Sequence, residues 1–420
     1  MAESLFVKII DAHGLDLLTQ IVKDLNIKGK LLLVADDRTY AAAGGRVAGI
    51  LKAAGFSLTE CILHRSESLV PDESALGELL VKVEQDTGLL VAVGSGSITD
   101  LTRYLSYKLQ KPFMAVSTAP SMDGYASSVA PLTLRGFKQT FPAVAPVAII
   151  GDTGILAKAP PEMIRAGFGD LLGKYTSLAD WKLSSIITEE AFSGEIAALV
   201  RVTADRTAAS LSGSVSDPAL VANLTEALIA SGEAMQRWGN SRPASGAEHH
   251  LAHFWEMQAA LNGTKRHLHG TKVGVAVIIV AKIYQQLLAL DRCQVAELIA
   301  RRKPETEAEY ALRVQKAYGP LAGDVLSDLK GLYLDPVTRA ARQRRILSNW
   351  EPLRDWVRTN LPTPEKLREW LLQAGAAVTV GEIGVTEEMR QLSLQNAKEV
   401  RSRYTVFRLA EDIGWSTMLS

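Results

Sequence analysis

Apolar residues fall into two textures along the chain. Over the first 150 residues, short runs that are apolar throughout alternate with stretches of helical spacing. The runs are LLLVADD (31–37), ECILH (60–64), LLVAVGSGS (89–97), FMAVSTAP (113–120) and VAIIGD (146–151). Between several of them, RVAGILKAAG (46–55), SALGELLVKVEQD (74–86) and SITDLTRYLSYKLQ (97–110) repeat apolar positions every three or four residues. Uninterrupted apolar runs suit strands buried on both faces, so this alternation predicts a parallel sheet with helices on either side. After about residue 160 the strand-like runs largely vanish. PPEMIRAGFGDLLGKYTSLADWKLSS (160–185) opens a helical region, and proline in its first turn costs no hydrogen bond. The texture divides the chain into an α/β N-terminal domain, 1–160, and an all-α C-terminal domain, 161–420, with a cleft between them. RRKPETEAEY (301–310) reads as a solvated loop or helix start.

Composition narrows the class without naming a chemistry. The 420 residues carry 46 Lys plus Arg against 46 Asp plus Glu, so no global field draws the chain to nucleic acid or acidic lipid. Cys61 and Cys293 lie far apart, which excludes a disulfide framework and fits a reducing compartment. MAESLFVKIIDAHG has early charges and no long apolar stretch, unlike a signal peptide. VGVAVIIVAKIYQQLLAL (273–290) is interrupted by Lys282 and two glutamines, so it reads as a buried helix and not a membrane span. A cytoplasmic location follows as the expectation.

The predicted strands end in Asp, Gly, Ser and Thr, and open α/β sheets bind ligands at those carboxyl ends. LLVAVGSGSITDLTRYLS (89–106) reads strand, GSGS, helix. Gly94 and Gly96 permit a tight turn and close approach to a phosphate, and the helix start offers N–H groups and a positive dipole end. Ser97 and Asp100 form an S-x-x-D capping pattern. The loop lacks the G-x-G-x-x-G of the common dinucleotide fingerprint and follows the third apolar run, not the first. Asp36 ends its run either as a ligand for an adenosine ribose or as a helix cap. If it faces the ribose, it disfavours a 2′-phosphate and favours NADH. STAPSMDGYASS (117–128) is small and polar, follows a strand, and carries a single charge, Asp123.

Five of the seven histidines fall between residues 249 and 269. In SGAEHHLAHFWE (245–256), Ser245 and Glu248 make an S-x-x-E box that predicts a helix starting at Ser245. His249 and His253 then share a face at i, i+4, while His250 is turned about 100° away. RHLHGTKVGVA (266–276) supplies His269 from a second segment. Two imidazoles from separate segments plus a carboxylate form a divalent metal site with open positions for substrate. Asp170, after the small residues of GFG, is the candidate carboxylate. A sheet domain of nucleotide-binding type beside such a site places a cofactor next to a Lewis acid.

GSGSITD (94–100), STAPSMDGYASS (117–128), GFGDLLGKYTSLADW (167–181), SGAEHHLAHFWE (245–256) and HGTKVGV (269–275) together resemble the bacterial branch of the sn-glycerol-1-phosphate dehydrogenases. That group sits in the superfamily of iron-containing alcohol dehydrogenases, glycerol dehydrogenase and dehydroquinate synthase. The motifs span residues 90 to 275 in family order. The resemblance implies NAD(H)- or NADP(H)-dependent reduction of dihydroxyacetone phosphate to sn-glycerol 1-phosphate, reversibly, in a homodimer. It implies one zinc or nickel ion on Asp170, His249 and His269, catalytic substrate contacts from His253, Asp123 and Asp170, and His253 or a water chain as the source of the proton. It further implies dinucleotide contacts from Gly94, Ser95, Gly96, Ser97, Thr99 and Asp100, and from Thr118, Ser121 and Ser127. Lys174, one turn beyond Asp170, is the expected partner of the substrate phosphate, with an exposed surface lysine as the alternative. The family usually reads HGEKVGVG where this chain has HGTKVGVA (269–276), so Thr271 replaces a glutamate that could support the metal from behind its ligands. Other readings are a polyol or glycerol dehydrogenase, a dehydroquinate synthase-like enzyme, or a non-catalytic nucleotide- or metal-binding paralogue.

Overall fold

The apolar runs of the first 150 residues form a single parallel sheet. The structure, a computed structural model, describes residues 7–66, 68–134, 137–211, 213–264, 267–328 and 335–415; the reading of residues 1–6 and of Arg266 and Ser416 lies outside them. In chain order the elements that matter here begin with β1 (Val7–Asp11), β2 (Lys30–Asp36), α1 (Gly45–Ala53), β3 (Leu58–Leu63) and α2 (Glu73–Val81). They continue with β4 (Thr87–Gly94), α3 (Gly96–Leu109), β5 (Phe113–Ser117), the hairpin β6 (Val129–Leu134) and β7 (Phe137–Pro142), and β8 (Ala148–Asp152). The helical region contributes α4 (Pro161–Thr188), α5 (Pro218–Trp238), α6 (Ala247–Asn262) and α7 (His269–Leu287). Six strands pair in the order β1-β8-β5-β4-β2-β3, all parallel.

The strands are apolar throughout because the sheet is covered on both faces. Leu32, Val34, Leu90 and Ala92 enter one core, and Leu31, Leu33, Leu89 and Val91 the other. β1 and the antiparallel hairpin β6–β7 were not legible in the apolar pattern. β1 is an edge strand with partly exposed positions, and the hairpin's apolar positions are broken by Pro131, Thr133, Lys138, Gln139 and Thr140.

Packing groups the chain into two units, Met1–Leu171 with Val202–Gly239, and Leu172–Arg201 with Asn240–Ser420. The first therefore holds the sheet together with a helix, α5, that belongs by sequence texture to the helical region. The second is helical, with a core around Leu183, Leu251, Phe254, Val280, Tyr284 and Trp350. Most of α7 is buried in that core, including Val273, Val275, Val277 and Val280. No single helix among the described residues is long and apolar enough to cross a membrane, although α7 and Arg292–Arg301 pass that test together across a 99° bend. Of the charged stretch 301–310, residues 302–306 form a loop leading to a helix that starts at Glu307, capped by the Thr306 side chain.

Candidate active site

In the sheet unit, β2 has β3 on one side and β4 on the other, so the strand order reverses there; ligand crevices form at such points. The last paired residues of β2 and β4 are Val34 and Ala92, which brings Asp36 and Gly94 to the same carboxyl edge. Gly94 also pairs with Ser117, and its carbonyl accepts from the Thr118 N–H at 3.1 Å. A Cβ on Gly94 would lie 2.7 Å from Ile98 Cβ, so only glycine lets the strand turn directly into α3. Asp36 caps the turn after β2, its Oδ1 accepting from the Thr39 N–H at 2.8 Å.

The expected Ser97/Asp100 cap is not formed. Ser95 holds the N-cap position of α3 and makes no side-chain cap. The Ser97 hydroxyl donates to Leu69 O at 3.0 Å, and Asp100 pairs with Arg103 at 2.9 Å. The cause is Arg103, which is buried on the same helix and draws the carboxylate one turn inward. Arg103 also donates to the carbonyls of Gly124, Tyr125 (2.7 Å) and Val129 (3.1 Å), clamping the 118–128 loop onto α3.

That loop is tied down along its length. Ser121 and Ser95 share a hydroxyl hydrogen bond of 2.6 Å, Thr99 Oγ1 donates to Ser95 O at 2.8 Å, and the Val129 N–H donates to Ser127 Oγ at 3.1 Å. The Asp123 N–H donates to Asp170 Oδ2 at 3.1 Å, and Ser231 of α5 donates to Asp123 Oδ2 at 3.1 Å. A Cβ on Gly167 would overlap Pro120 O, and one on Gly232 would press Asp123 O at 3.0 Å, so α4 and α5 approach the loop through their glycines. Sequence reasoning missed Arg103 and Ser231. An i, i+3 Asp–Arg pair was visible in the chain, but its reach to the loop was not.

In the helical unit, one face of α4 packs on the start of α6. A Cβ on Gly173 would meet Val273 Cγ1 at 2.7 Å and His249 Cε1 at 3.7 Å. Thr176 Oγ1 donates to Glu248 Oε2 at 2.6 Å, and the Ala247 N–H donates to Asp180 Oδ2 at 2.7 Å. Asp170, fully buried, precedes Gly173 by three residues on the same uninterrupted helix and so lies on that face one turn earlier. The expected Ser245 start is displaced: α6 begins at Ala247 with Gly246 as N-cap. Asp180 satisfies the Ala247 N–H and Glu248 reaches back to the Gly246 N–H at 2.7 Å, which leaves the Ser245 side chain no capping role. Lys174 is fully buried, not at the surface, and its Nζ donates to Ala244 O at 3.2 Å.

His249, His253 and His269 converge, with ring centroids 6.0 Å (249–253), 5.2 Å (249–269) and 5.1 Å (253–269) apart. Each ring has Nδ1 on a carboxylate: His249 on Glu248 at 2.8 Å, His269 on Glu256 at 2.9 Å, and His253 on Glu256 at 3.1 Å. A carboxylate at Nδ1 fixes the tautomer with its proton there and leaves Nε2 as the donor atom, the usual support of a metal-binding imidazole. Burial pushes His253 down to about 3, helped by His269 and Arg401 and opposed by Glu256, so its ring is neutral at physiological pH. Burial alone would raise Glu248, but His249, Thr176 and the Gly246 N–H hold its carboxyl below the ordinary value. Imidazole nitrogens plus a carboxylate oxygen, without thiolate, suit a divalent ion. Glu248 entered the sequence reading only as a helix cap and Glu256 went unassigned, although Glu256 stands at i+3 from His253. His250 is fully buried beside this cluster, and neither ring nitrogen has a hydrogen-bond partner among the described residues.

The family described as iron-containing alcohol dehydrogenase matches residues 9–160. The glycerol-1-phosphate dehydrogenase [NAD(P)+] of Halalkalibacterium halodurans is 35% identical over 403 residues, covering 94% of this chain and 90% of that protein. The enzyme of the same name from Geobacillus stearothermophilus is 32% identical over 392 residues, covering 91% and 87%. In fold, the chain is similar to the glycerol dehydrogenase of Schizosaccharomyces pombe, with a TM-score of 0.59, 15% identity, and coverage of 99% and 90%. On this similarity, carried over nearly the whole length of both chains, the protein belongs to the family of NAD(P)+ glycerol-1-phosphate dehydrogenases.

Proposed function

We propose that the chain catalyses the reversible, NAD(P)H-dependent reduction of dihydroxyacetone phosphate to sn-glycerol 1-phosphate. Family membership supports the reaction, and the convergence of three imidazoles, each backed by a carboxylate, is the observation that carries its chemistry. We assign Asp170, His249 and His269 as ligands of one zinc or nickel ion. The continuous α4 face supports the choice of Asp170, and the Nδ1–carboxylate pairs support the two histidines. When bound, the ion supplies Lewis-acid polarisation of the ketone and the nicotinamide supplies the hydride. His253 and Asp123 contact the substrate. With Nδ1 tied to Glu256, His253 presents Nε2 to the substrate hydroxyl and orients it by hydrogen bonding. The dinucleotide lies against Asp36, the 94–99 turn, Thr118, Ser121 and Ser127, supported by the strand reversal at β2 and β4. In this reading dinucleotide binding belongs to residues 1–160 and, apart from the Asp123 contact, metal and substrate binding to 161–420. The enzyme works as a cytoplasmic homodimer, and its two free cysteines suit that compartment.

The test follows NADH and NADPH oxidation with dihydroxyacetone phosphate, using metal-stripped protein re-supplied with zinc or nickel. Metal-dependent turnover giving the sn-1 product is the expected result. Folded, nucleotide-binding protein that turns over with neither metal and neither cofactor would sink the reading.

A further inference from the structure

A phosphate monoester is close to a dianion and needs cations to hold it, preferably guanidinium groups that can donate two parallel hydrogen bonds. Lys174, the expected cation, is instead turned to a backbone carbonyl. Two other cations in the helical unit lack carboxylate partners. Arg401 Nη1 and Arg403 Nη2 both donate to the Ser241 hydroxyl, at 2.9 and 2.8 Å. Arg403 Nη1 also donates to Ser245 O at 2.8 Å. Neither forms an ion pair with any described residue. Arg242, next to Ser241 in the chain, pairs with Glu190 at 3.0 Å, and its Nη1 is buried without a partner.

The rest of the unit handles buried arginines differently. Arg408 sits between Glu399 and Glu411, and Arg313 between Glu305 and Glu399. The charge of those carboxylates holds Arg408 above its ordinary value, although burial acts to lower it. Burial, together with the like charges of Arg401 and Arg242, pushes Arg403 down to about 9, against the weaker opposing charges of Glu190 and Glu248. Two cations on one hydroxyl, with no described carboxylate in ion-pair contact with either, is a costly arrangement that a bound anion would relieve.

Position matches the need. The turn Ala397–Glu399, just before Arg401, packs against α6, the helix that bears His250 and His253. Among the described residues Arg401 uses one N–H, and a guanidinium has five to give.

The geometry points to Arg401 as the residue that binds the phosphate of the triose phosphate substrate, with Arg403 holding the Ser241–Ser245 turn and adding its charge. This rests on the dehydrogenase reading above. Arg403 is the positioning residue, since its donors are engaged by backbone carbonyls and Ser241.

The test compares Arg401→Gln and Arg401→Lys with the unaltered holoenzyme. Activity is measured on dihydroxyacetone phosphate and on dihydroxyacetone, and binding of inorganic phosphate by calorimetry. Losing a charged hydrogen bond to phosphate should lower the ratio of kcat/KM for the phosphorylated over the unphosphorylated substrate by about 10- to 100-fold in the Gln variant. The Lys variant should retain part of that ratio, and inorganic phosphate should bind more weakly to both. A merely structural role would lower both substrates alike. A folded Gln variant with an unchanged ratio and unchanged phosphate binding overturns the assignment. So does a variant that instead loses NADPH relative to NADH, because the site would then hold the cofactor's 2′-phosphate. If the unaltered protein turns over neither substrate, the dehydrogenase reading fails, while phosphate calorimetry still decides the anion site.

Discussion

The glycine turn after β4 and the histidine helix α6 build binding chemistry by different means. Around Gly94 the materials are backbone: strand register, the turn that glycine permits, and hydrogen bonds between hydroxyls and carbonyls. Around His249 they are side chains, each fixed by another side chain behind it. A backbone site is set by the sheet and changes little with any one side chain. A side-chain site depends on every link, so single substitutions there should cost more, and the cost should grade with distance from the ring nitrogens.

The sharpest break of this contrast is His249→Ala. It removes a donor atom outright and should cost more than the roughly 10–100-fold typical of losing a group behind a ligand. Metal content after dialysis and metal-restored turnover measure it. Next comes Glu256→Gln, which leaves all three imidazoles in place but removes the carboxylate shared by His253 and His269. Metal affinity should fall by about 10- to 100-fold, read by titration against a competing chelator. Retained affinity would show that the two rings are held by packing alone.

On the backbone side, Gly94→Ala forces a methyl against Ile98 and should destabilise the fold by about 1–3 kcal/mol, seen in chemical denaturation. It should also weaken nucleotide binding while sparing metal affinity, and a loss of metal would erase the distinction between the two regions. The smallest effect is expected from Thr271→Glu. The glutamate usual in the family is missing here, yet His269 already has Glu256 at Nδ1. Restoring it should therefore change metal affinity by well under the ~10-fold lower bound for such groups.

Much of this was legible because it depends on neighbours in sequence. Buried parallel strands announce themselves as continuous apolar runs, and β2, β4, β5 and β8 did so. The i, i+4 spacing put His249 and His253 on one face of a helix before any coordinates. The details that failed are those decided by partners far along the chain. Ser97 and Asp100 have a capping pattern, but Leu69 and the buried Arg103 compete for them. Ser245 lost its cap to Asp180, which lies 67 residues away from Ala247 in sequence. For Lys174 the sequence left a phosphate partner and a surface lysine both open, and packing of α4 removed the second by burying it.

The sequence by itself determined the alternation of strands and helices, the glycine turn, and the clustering of histidines, because periodicity and local spacing are properties of the chain. Only the tertiary structure decided which carboxylates stand behind which imidazoles, that α5 joins the sheet unit, and that Arg401 and Arg403 meet at Ser241 without an ion pair to any described carboxylate. Those outcomes depend on desolvation and on the pairing of charges, which exist only once distant segments are brought together and water is excluded.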